Sequence, residues 1–264
     1  MSILALWLGY LALGGIAGTL AGLFGIGGGL IIVPALVFAF DLQGVAPEVS
    51  MHLAVGTSLA TIVVTGASSA WGHYRRGSVH WAWFLALLPG LMLGAIAGVF
   101  VAGNLSGGLL GMLFGIFMLL VAARMLLGLR PRPGGLAPGR GAMMLAGGVI
   151  GAVSALFGIG GGTLSVPWLS RSGATMTQAV GTSSVCGLPI ALFGTATFIV
   201  VGWQAPGLPP GALGYVMWPA FLGIVLASVP CARLGVWLAH RLPARLLRLA
   251  FAVLLTGVGL KFLL

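Results

Sequence analysis

Long apolar segments, separated by short polar or glycine- and proline-containing turns, run along the whole chain. Most are close to the ~20 residues that a helix needs to cross the ~30 Å hydrocarbon layer of a bilayer. The pattern therefore predicts an all-α integral membrane protein. The apolar segments cover residues about 3–40, 50–70, 80–102 and 105–128 in the first half, and about 141–170, 175–201, 212–238 and 245–264 in the second.

A duplicated block interrupts the first apolar segment of each half. Residues 22–34 read GLFGIGGGLIIVP and residues 155–167 read ALFGIGGGTLSVP, with nine of thirteen positions identical. A second motif, AVGTS, recurs downstream in the same order. Such self-similarity is the signature of a duplication. The sequence therefore predicts two repeats, 1–129 and 141–264, joined by the polar, proline- and arginine-rich linker 130–140.

The distribution of basic residues decides how the interrupted segments lie in the membrane. If each segment crossed once, the twelve Lys and Arg residues would divide seven to five between the two sides. If each segment instead enters and returns as a hairpin, eleven share one side, as the positive-inside rule expects of cytoplasmic loops. The eleven are Arg75, Arg76, Arg124, Arg130, Arg132, Arg140, Arg171, Arg233, Arg241, Arg245 and Arg248, with Lys261 alone opposite.

The hairpin arrangement fixes the relation between the two halves. Each half then contains a glycine-tipped helical hairpin plus three transmembrane helices, which is an odd number of crossings. The sequence therefore predicts two inverted repeats, with both hairpin tips near the middle of the bilayer and both termini on the periplasmic or extracellular side. Inverted repeats with discontinuous helices that meet at the midplane are a recurring architecture of secondary transporters.

Composition sets the broad class and removes several functions. Hydrophobic residues make up 59% of the chain and charged residues 5%, against about a quarter charged in a soluble domain. The net charge of +10 comes from twelve basic residues that the cytoplasmic loops explain, so no nucleic-acid partner is expected. The two cysteines form no CxxC motif, so no metal site and no cofactor is expected.

Catalytic motifs are missing from the apolar segments. The chain has no HExxH motif, no pair of buried aspartates and no GxSxG serine within a segment, so it is not expected to be an enzyme. An intramembrane enzyme and a membrane assembly factor stay as lower alternatives to transport. Rows of glycine at four-residue spacing, such as Gly14 and Gly18 or Gly90 and Gly94, predict closely packed helices.

The glycine blocks are the first candidate binding site. Glycine leaves backbone N–H groups uncovered, and the proline five residues later is tolerated in the first turn of a new helix. A helix N-terminus within the membrane offers free donors and partial positive charge to an anion. The alternative is that the glycines only form a tight turn. The candidate residues are Gly25, Gly27, Gly28, Gly29 and Pro34, with Gly158, Gly160, Gly161, Gly162 and Pro167.

The two AVGTS segments, at 54–58 and 179–183, are the second candidate. Their hydroxyl groups can donate hydrogen bonds to an oxyanion without adding charge. The alternative is that these hydroxyls bond to carbonyl groups of their own helix, as is common in transmembrane helices. The candidate residues are Thr57, Ser58, Thr182 and Ser183.

Three further residues have ordinary explanations beside functional ones. His52 and His73 lie near the ends of segment 50–70, where interfacial anchoring is favoured over proton shuttling. For Cys186, packing as a small residue is favoured over contact with a sulfur substrate. No carboxylate lies within an apolar segment, so proton coupling would require histidine or the substrate itself.

The paired FGIGGG…VP blocks, the AVGTS segments and the length of 264 residues resemble the TauE/SafE family of sulfite exporters and toluene-sulfonate uptake permeases. The resemblance spans the whole chain. It implies a multi-pass permease of a prokaryotic inner membrane that exports sulfite, sulfoacetate or a related organosulfur anion. The partners expected are this small anion and the lipid bilayer, and assembly into a homo-oligomer is left open.

The expected function is export of that anion by alternating access, driven by the membrane potential or by a proton gradient. An inside-negative potential favours outward movement of an anion by about 2.3 kcal/mol per charge per 100 mV. The alternative is an importer or a channel for another inorganic anion, such as sulfate or thiosulfate.

Overall fold

The structure, a computed structural model, describes residues 3–24, 28–127, 138–239, 241 and 243–264. This part of the chain folds into ten helices and one two-stranded hairpin, which confirms the prediction of an all-α protein. Of the predicted linker 130–140, residues 130–137 lie outside the described part. The elements are α1 (Ile3–Phe24), α2 (Gly29–Leu42), α3 (Pro47–Arg75), α4 (Trp81–Gly103), α5 (Gly107–Leu126), α6 (Arg140–Leu156), α7 (Gly162–Arg171), α8 (Met176–Val201), β1 (Ala212–Leu213), β2 (Val216–Met217), α9 (Trp218–Ala239) and α10 (Ala244–Lys261).

Five of these helices are long and apolar enough to cross a membrane, as a multi-pass membrane protein requires. They are α3, α4, α5, α8 and the Trp218–Gly235 part of α9. Helix α3 is the most enclosed of the five, with 78% of its apolar window buried against 28–44% for the others. It packs against α2, α5, α8 and α9 and therefore forms the centre of the fold.

Each interrupted segment forms two helices that are separated at the glycine block. Helix α2 has 14 residues and α7 has 10, so at 1.5 Å per residue they measure about 21 and 15 Å. Neither can cross a ~30 Å hydrocarbon layer alone. Pro34 and Pro167 lie at the sixth position of α2 and α7, not in the first turn as the sequence predicted. The helices begin earlier because the carbonyls of Gly28 and Gly161 accept their first hydrogen bonds.

The two halves pack against each other through the first helix of each hairpin. Helix α1 packs along α9 and α6 packs along α4, so the first helix of each hairpin lies against the other half. Glycines allow the close approach: a Cβ on Gly18 would lie 2.5 Å from the Cα of Ser228, and Gly94 faces the carbonyl of Gly148 directly. The predicted packing role of these glycine rows is confirmed. The opposite orientation of the halves stays a prediction.

The predicted apolar segment 212–238 does not begin as a helix. Its first residues form the antiparallel β1–β2 hairpin, in which Ala212 pairs with Met217, and α9 begins only at Trp218. Gly211 and Gly214 adopt φ angles of +87° and +55°. These left-handed conformations favour glycine and interrupt a right-handed helix. The hairpin brings a short turn of the second half onto the N-terminal half of α3, at Gly56 and Thr57.

Candidate functional site

The two hairpin tips meet against the middle of α3. A Cβ added to Gly29 would lie 2.5 Å from the carbonyl oxygen of Gly158, so the tips touch through their backbones. The Oγ of Ser58 donates a hydrogen bond to the same carbonyl at 2.7 Å. Gly158 adopts a φ of +66° and so turns the chain between α6 and α7. Ser58 therefore lies at the junction of the two tips.

The second tip ends in a helix N-terminus with unpaired donors. The carbonyl of Gly161 accepts hydrogen bonds from the amides of Leu164 and Ser165, at 3.3 and 2.8 Å, and so starts α7. Within the described residues, no backbone carbonyl accepts from the amides of Gly162 or Thr163. Free amides at a helix start carry partial positive charge. They can therefore donate to an anion.

Three buried serines lie on α7 and on the two helices that pack against it, each on a different helix. Ser154 is near the end of α6, Ser165 is in the first turn of α7 and Ser183 is on α8, with exposed fractions of 0%, 0% and 1%. Their Oγ atoms have no hydrogen-bond partner in the described part of the chain. An unsatisfied buried hydroxyl costs about 1–3 kcal/mol, so buried hydroxyls are normally paired. Two of them, Ser165 and Ser183, belong to residues that approach the start of α7, where a ligand rich in acceptor atoms would satisfy them together with the free amides.

Gly161 is the point at which these groups converge. A Cβ on Gly161 would lie 3.2 Å from the Oγ of Ser165, 3.3 Å from the amide nitrogen of Gly187 and 3.4 Å from the carbonyl oxygen of Ser183. The first turn of α7 contains no charged residue, and both acidic residues of the chain are exposed, near the ends of α2 and α3. The site is therefore neutral and rich in donors. We call Gly161, Gly162, Thr163, Ser165 and Ser183 the α7 site.

The sequence prediction included the glycines and Ser183 but not the other hydroxyls of this region. These hydroxyls could have been predicted from the positions at which the two repeats differ, rather than from the positions at which they are identical. At three positions of the duplicated region a hydroxyl in the second half stands where the first half has an apolar side chain. The replacements are Ser154 for Ala21, Thr163 for Leu30 and Ser165 for Ile32.

The first of the repeated threonines holds a turn from the opposite half. The amide of Met217 donates to the Oγ1 of Thr57 at 2.9 Å, and the carbonyl oxygen of Tyr215 packs directly on Gly56. Because glycine has no Cβ, the turn can lie flat against α3. We call these four residues the first clasp.

The second repeated threonine, which belongs to the second half, makes the equivalent contact with a turn of the first half. The amide of His80 donates to the Oγ1 of Thr182 at 2.8 Å, and a Cβ on Gly181 would lie 2.5 Å from the carbonyl oxygen of Ser78. These four residues form the second clasp. Each clasp holds the turn that precedes a long helix, α9 in the first and α4 in the second. A substrate-binding role for the two threonines stays a prediction; the contact that the structure describes is docking of a turn.

Four of the remaining predicted residues lie in the described part of the chain. Gly28 precedes α2 with a φ of +32°, and Gly160 lies in the turn between α6 and α7. Pro34 and Pro167 are inside α2 and α7. Gly25 and Gly27 lie outside the described residues.

A cavity of about 360 Å³ lies beside the first clasp. Its lining includes Glu48, His52, Pro206 and Tyr215 but no residue of the tips. His52 precedes Ser58 by six residues, or roughly 9 Å along α3, so the first clasp lies between this cavity and the tips. We call the cavity the vestibule. The structure therefore has an open vestibule on one side of the first clasp, and the α7 site is not part of it.

Comparison with known proteins points to one class. The family described as "Sulfite exporter TauE/SafE" matches residues 10–262. A "Probable membrane transporter protein" of Haemophilus influenzae is 38% identical over 258 residues, which are 96% of this chain and 97% of that protein. A protein of Methanocaldococcus jannaschii with the same description is 29% identical, with 95% and 93% covered. "Probable membrane transporter protein YunE" of Bacillus subtilis is 33% identical over 174 residues, with 59% and 64% covered. No solved structure matches the chain.

Proposed function

Because the chain belongs to the sulfite exporter TauE/SafE family and is a membrane transporter, not an enzyme, we propose that it exports a small sulfur-containing anion. The cargo we propose is sulfite or an organosulfonate such as sulfoacetate, moved by alternating access. The family match confirms the resemblance seen in the sequence. The observation that carries the proposal is the neutral, donor-rich α7 site.

The donors of the α7 site fit the acceptors of such an anion. Sulfite and sulfonate groups present three oxygen atoms on one sulfur, and all three accept hydrogen bonds. The site offers the free amides of Gly162 and Thr163 and the unpaired hydroxyls of Ser165 and Ser183. A hydrogen bond to an ionised acceptor contributes about 1.5–3 kcal/mol. Several together can offset much of the cost of removing water from the anion.

A site without a fixed positive charge suits a carrier, which must release its cargo. A buried lysine or arginine would attract the anion strongly in the low dielectric of the membrane and slow its departure. The partial charge at the start of α7 attracts the anion less strongly. Binding can then be selective without being irreversible.

The two clasps supply the gates that alternating access requires. We propose that the halves are inverted, so that the clasps lie on opposite faces and open in turn while the tips hold the anion. Two observations support this arrangement. Helices α1 and α9 pack as α6 and α4 do, and the clasps repeat the same glycine and threonine contacts in both halves.

The membrane potential is the driving force that we propose, with proton co-transport as a variant. We place the chain in a prokaryotic inner membrane with its basic loops on the cytoplasmic side. Both termini then lie on the periplasmic or extracellular side. No acidic side chain lies in the α7 site, so the charge that moves is that of the anion. The potential then favours export by about 2.3 kcal/mol per charge per 100 mV.

Anion flux in proteoliposomes tests the proposal, with sulfite, sulfoacetate, sulfate and thiosulfate compared with and without an imposed potential. We expect saturable flux of sulfite or sulfoacetate that increases with the potential. Ser165→Ala and Ser183→Ala should each raise the half-saturating concentration about tenfold, since each removes roughly 1.4 kcal/mol of hydrogen bonding. The matched control is Thr197→Val on α8, whose hydroxyl already bonds to the carbonyl of Phe193 at 2.7 Å and should not affect affinity.

Other outcomes would change the proposal in specific ways. Flux of sulfate or thiosulfate alone would identify the alternative cargo, and flux that does not saturate would identify a channel. Flux that ignores the potential but follows an imposed pH gradient would exclude uniport. Unchanged half-saturation in both serine variants would show that the anion binds elsewhere.

A further inference from the structure

The turn between α3 and α4 lies at one surface of the membrane. Both helices are long and apolar enough to cross it, and residues 76–80 join them. Helix α3 has 29 residues and so measures about 44 Å at 1.5 Å per residue. The hydrocarbon layer is ~30 Å thick, and the bilayer measures ~40–45 Å with its headgroups. The last turn of α3 therefore reaches the headgroup layer.

Four aromatic residues flank this turn, and three of them are exposed. Trp71, Tyr74 and Trp81 have exposed fractions of 59%, 52% and 46%. The ring of Tyr74 links the two helices, because its centroid lies 5.6 Å from that of Trp71 on α3 and 5.9 Å from that of Trp81 on α4. Phe84 packs edge-on against Trp81, with centroids 5.8 Å apart. We call these four residues the α3–α4 aromatic cluster. Exposed tryptophan and tyrosine rings are typical of the headgroup layer.

Two exposed arginines adjoin the cluster. The guanidinium carbon of Arg75 lies 5.6 Å from the centroid of the Trp71 ring, which attracts the cation, and Arg76 follows directly. The chain has two acidic residues, Asp41 and Glu48, which lie before or in the first turn of α3. The arginines lie at the other end of this helix, roughly 40 Å away. No acidic side chain of the protein is therefore near enough to neutralise them.

We propose that this end of α3, with the start of α4, binds the headgroup of an anionic phospholipid. Arginine binds phosphate oxygens with two parallel hydrogen bonds, and basic residues next to a transmembrane helix attract anionic lipids. Arg75 and Arg76 bind the phosphate, and the α3–α4 aromatic cluster packs against the glycerol and the upper part of the acyl chains. A lipid fits better than a free anion, because exposed apolar rings lie beside the two charges.

The lipid site flanks the second clasp. The turn contains Ser78 and His80, through which the second clasp holds it against α8. The two arginines precede this pair in the chain, and Trp81 follows His80 directly. A lipid that contacts both sides of the turn therefore stabilises the folded protein at this clasp. The lipid site does not depend on the proposed transport function; only an effect of the lipid on flux would rest on it.

Lipid binding to the purified protein in detergent tests the site without any cargo. Dioleoyl-phosphatidylglycerol is compared with dioleoyl-phosphatidylcholine, which has the same acyl chains but no net charge, and bound lipid is counted by native mass spectrometry. We expect Arg75→Gln/Arg76→Gln to weaken the tightest binding of phosphatidylglycerol about tenfold or more and to leave that of phosphatidylcholine unchanged. Phosphatidylglycerol should also raise the thermal unfolding temperature of the unmodified protein more than that of this variant.

Two further variants make the test specific. Arg124→Gln/Arg248→Gln is the matched control, because it removes two exposed arginines from α5 and α10, where no tryptophan or tyrosine lies nearby in the sequence, and it should change the affinity less than about twofold. Trp71→Leu/Trp81→Leu keeps both arginines of the site and should weaken phosphatidylglycerol binding severalfold.

Three outcomes would overturn the proposal. Equal losses in the two arginine variants would show a general effect of positive charge. Displacement of the lipid by inorganic phosphate at equal concentration would show a site for free anions, and tighter binding of phosphatidylcholine would show that the rings bind choline. Because no transport is measured, failure of the proposed transport function would leave this test unaffected.

Discussion

The two hairpin tips share a sequence block but differ in chemistry. At the first tip, Ile32 of α2 is 3% exposed and packs in the hydrophobic core. At the second tip, Ser165 takes the equivalent place in α7, equally buried but with an unpaired hydroxyl. The repeated serines differ as well. Ser58 donates to the carbonyl of Gly158, whereas Ser183 has no partner for its Oγ among the residues described.

The backbone shape of the tips comes from the sequence that the two repeats share, and the hydroxyl groups come from positions at which the repeats differ. The shared block provides the shape of both tips, in which a glycine break is followed by a helix start. The hydroxyl groups occur only in the second block, so its chemistry does not follow from the repeat. We infer that the first tip is an apolar wall and that the second tip binds the anion. Of the two candidate tips, the α7 site is therefore the one that we propose for the anion.

Making the two tips alike should have the largest effect on transport. The double variant Thr163→Leu/Ser165→Ile gives α7 the side chains that α2 carries at the same places. We expect about a 100-fold loss of flux, since two hydroxyl donors are removed at ~1.5 kcal/mol or more each; the Oγ1 of Thr163, like the Oγ of Ser165, has no partner among the described residues. Membrane insertion should persist, because the first half folds with these residues. The measurements are initial flux in proteoliposomes and the yield of purified protein.

The converse change is the control for that experiment. Ile32→Ser removes a buried apolar side chain from the first tip and should lower stability by about 2–5 kcal/mol. It should not improve anion affinity, because the first tip still lacks a second free hydroxyl: Ser58, the equivalent of Ser183, already donates to the carbonyl of Gly158. Normal transport by the double variant would show that the hydroxyls of α7 do not contact the cargo.

A methyl group at the α7 site should have the next largest effect. In Gly161→Ala the new Cβ would occupy the space 3.2 Å from the Oγ of Ser165, so we expect flux to fall about tenfold or more with nearly normal yield. Gly28→Ala should reduce yield together with flux, because a φ of +32° strains a side-chain-bearing residue by about 1–3 kcal/mol. Gly111→Ala, which would contact the ring of Phe262 at 3.3 Å, should alter stability before flux. Equal losses in all three variants would mean that the tips serve only as turns.

Substitution of the clasp threonines should have the smallest effect on transport, and it should change the maximal rate and not the half-saturating concentration. Thr57→Val and Thr182→Val each remove the acceptor of a backbone amide, which weakens docking of a turn by about 1–3 kcal/mol. We expect the maximal rate of transport to change two- to fivefold, roughly, while half-saturation stays constant. Flux measured over a range of anion concentrations separates the two parameters. A shift in half-saturation would instead support the prediction, made from the sequence, that these threonines bind the anion.

Features that depend on local sequence could be predicted, because their causes lie within a few residues. The breaks at the two glycine blocks follow from the conformational freedom of glycine, and the long spans follow from the length of the apolar segments. The sequence predicts the start of α9 too early, because the apolar composition of 212–217 gives no sign of the positive φ angles of Gly211 and Gly214. Composition alone does not distinguish a short apolar hairpin from the first turns of a helix.

Features that depend on distant partners could not be predicted in this way. Thr57 meets the amide of Met217 across 160 residues of sequence, and Thr182 meets that of His80 across 102. No periodicity within AVGTS encodes these contacts. The donors of the α7 site combine Ser183 with residues of another helix, so only the fold shows that they lie together. What the sequence does contain is the set of differences between the repeats, which mark Thr163 and Ser165.

The close contact between α1 and α9 has a consequence for how the protein is made. The glycine face of α1 lies on the backbone of Ser228, and that residue is synthesised about 210 positions after Gly18. At roughly 5–20 residues per second, the ribosome needs on the order of 10–40 s to supply the partner. During this interval lipid tails or the insertion machinery must cover the bare backbone of α1. A nascent chain that stalls before α9 would expose that face, which gives quality-control proteases a feature by which to recognise it.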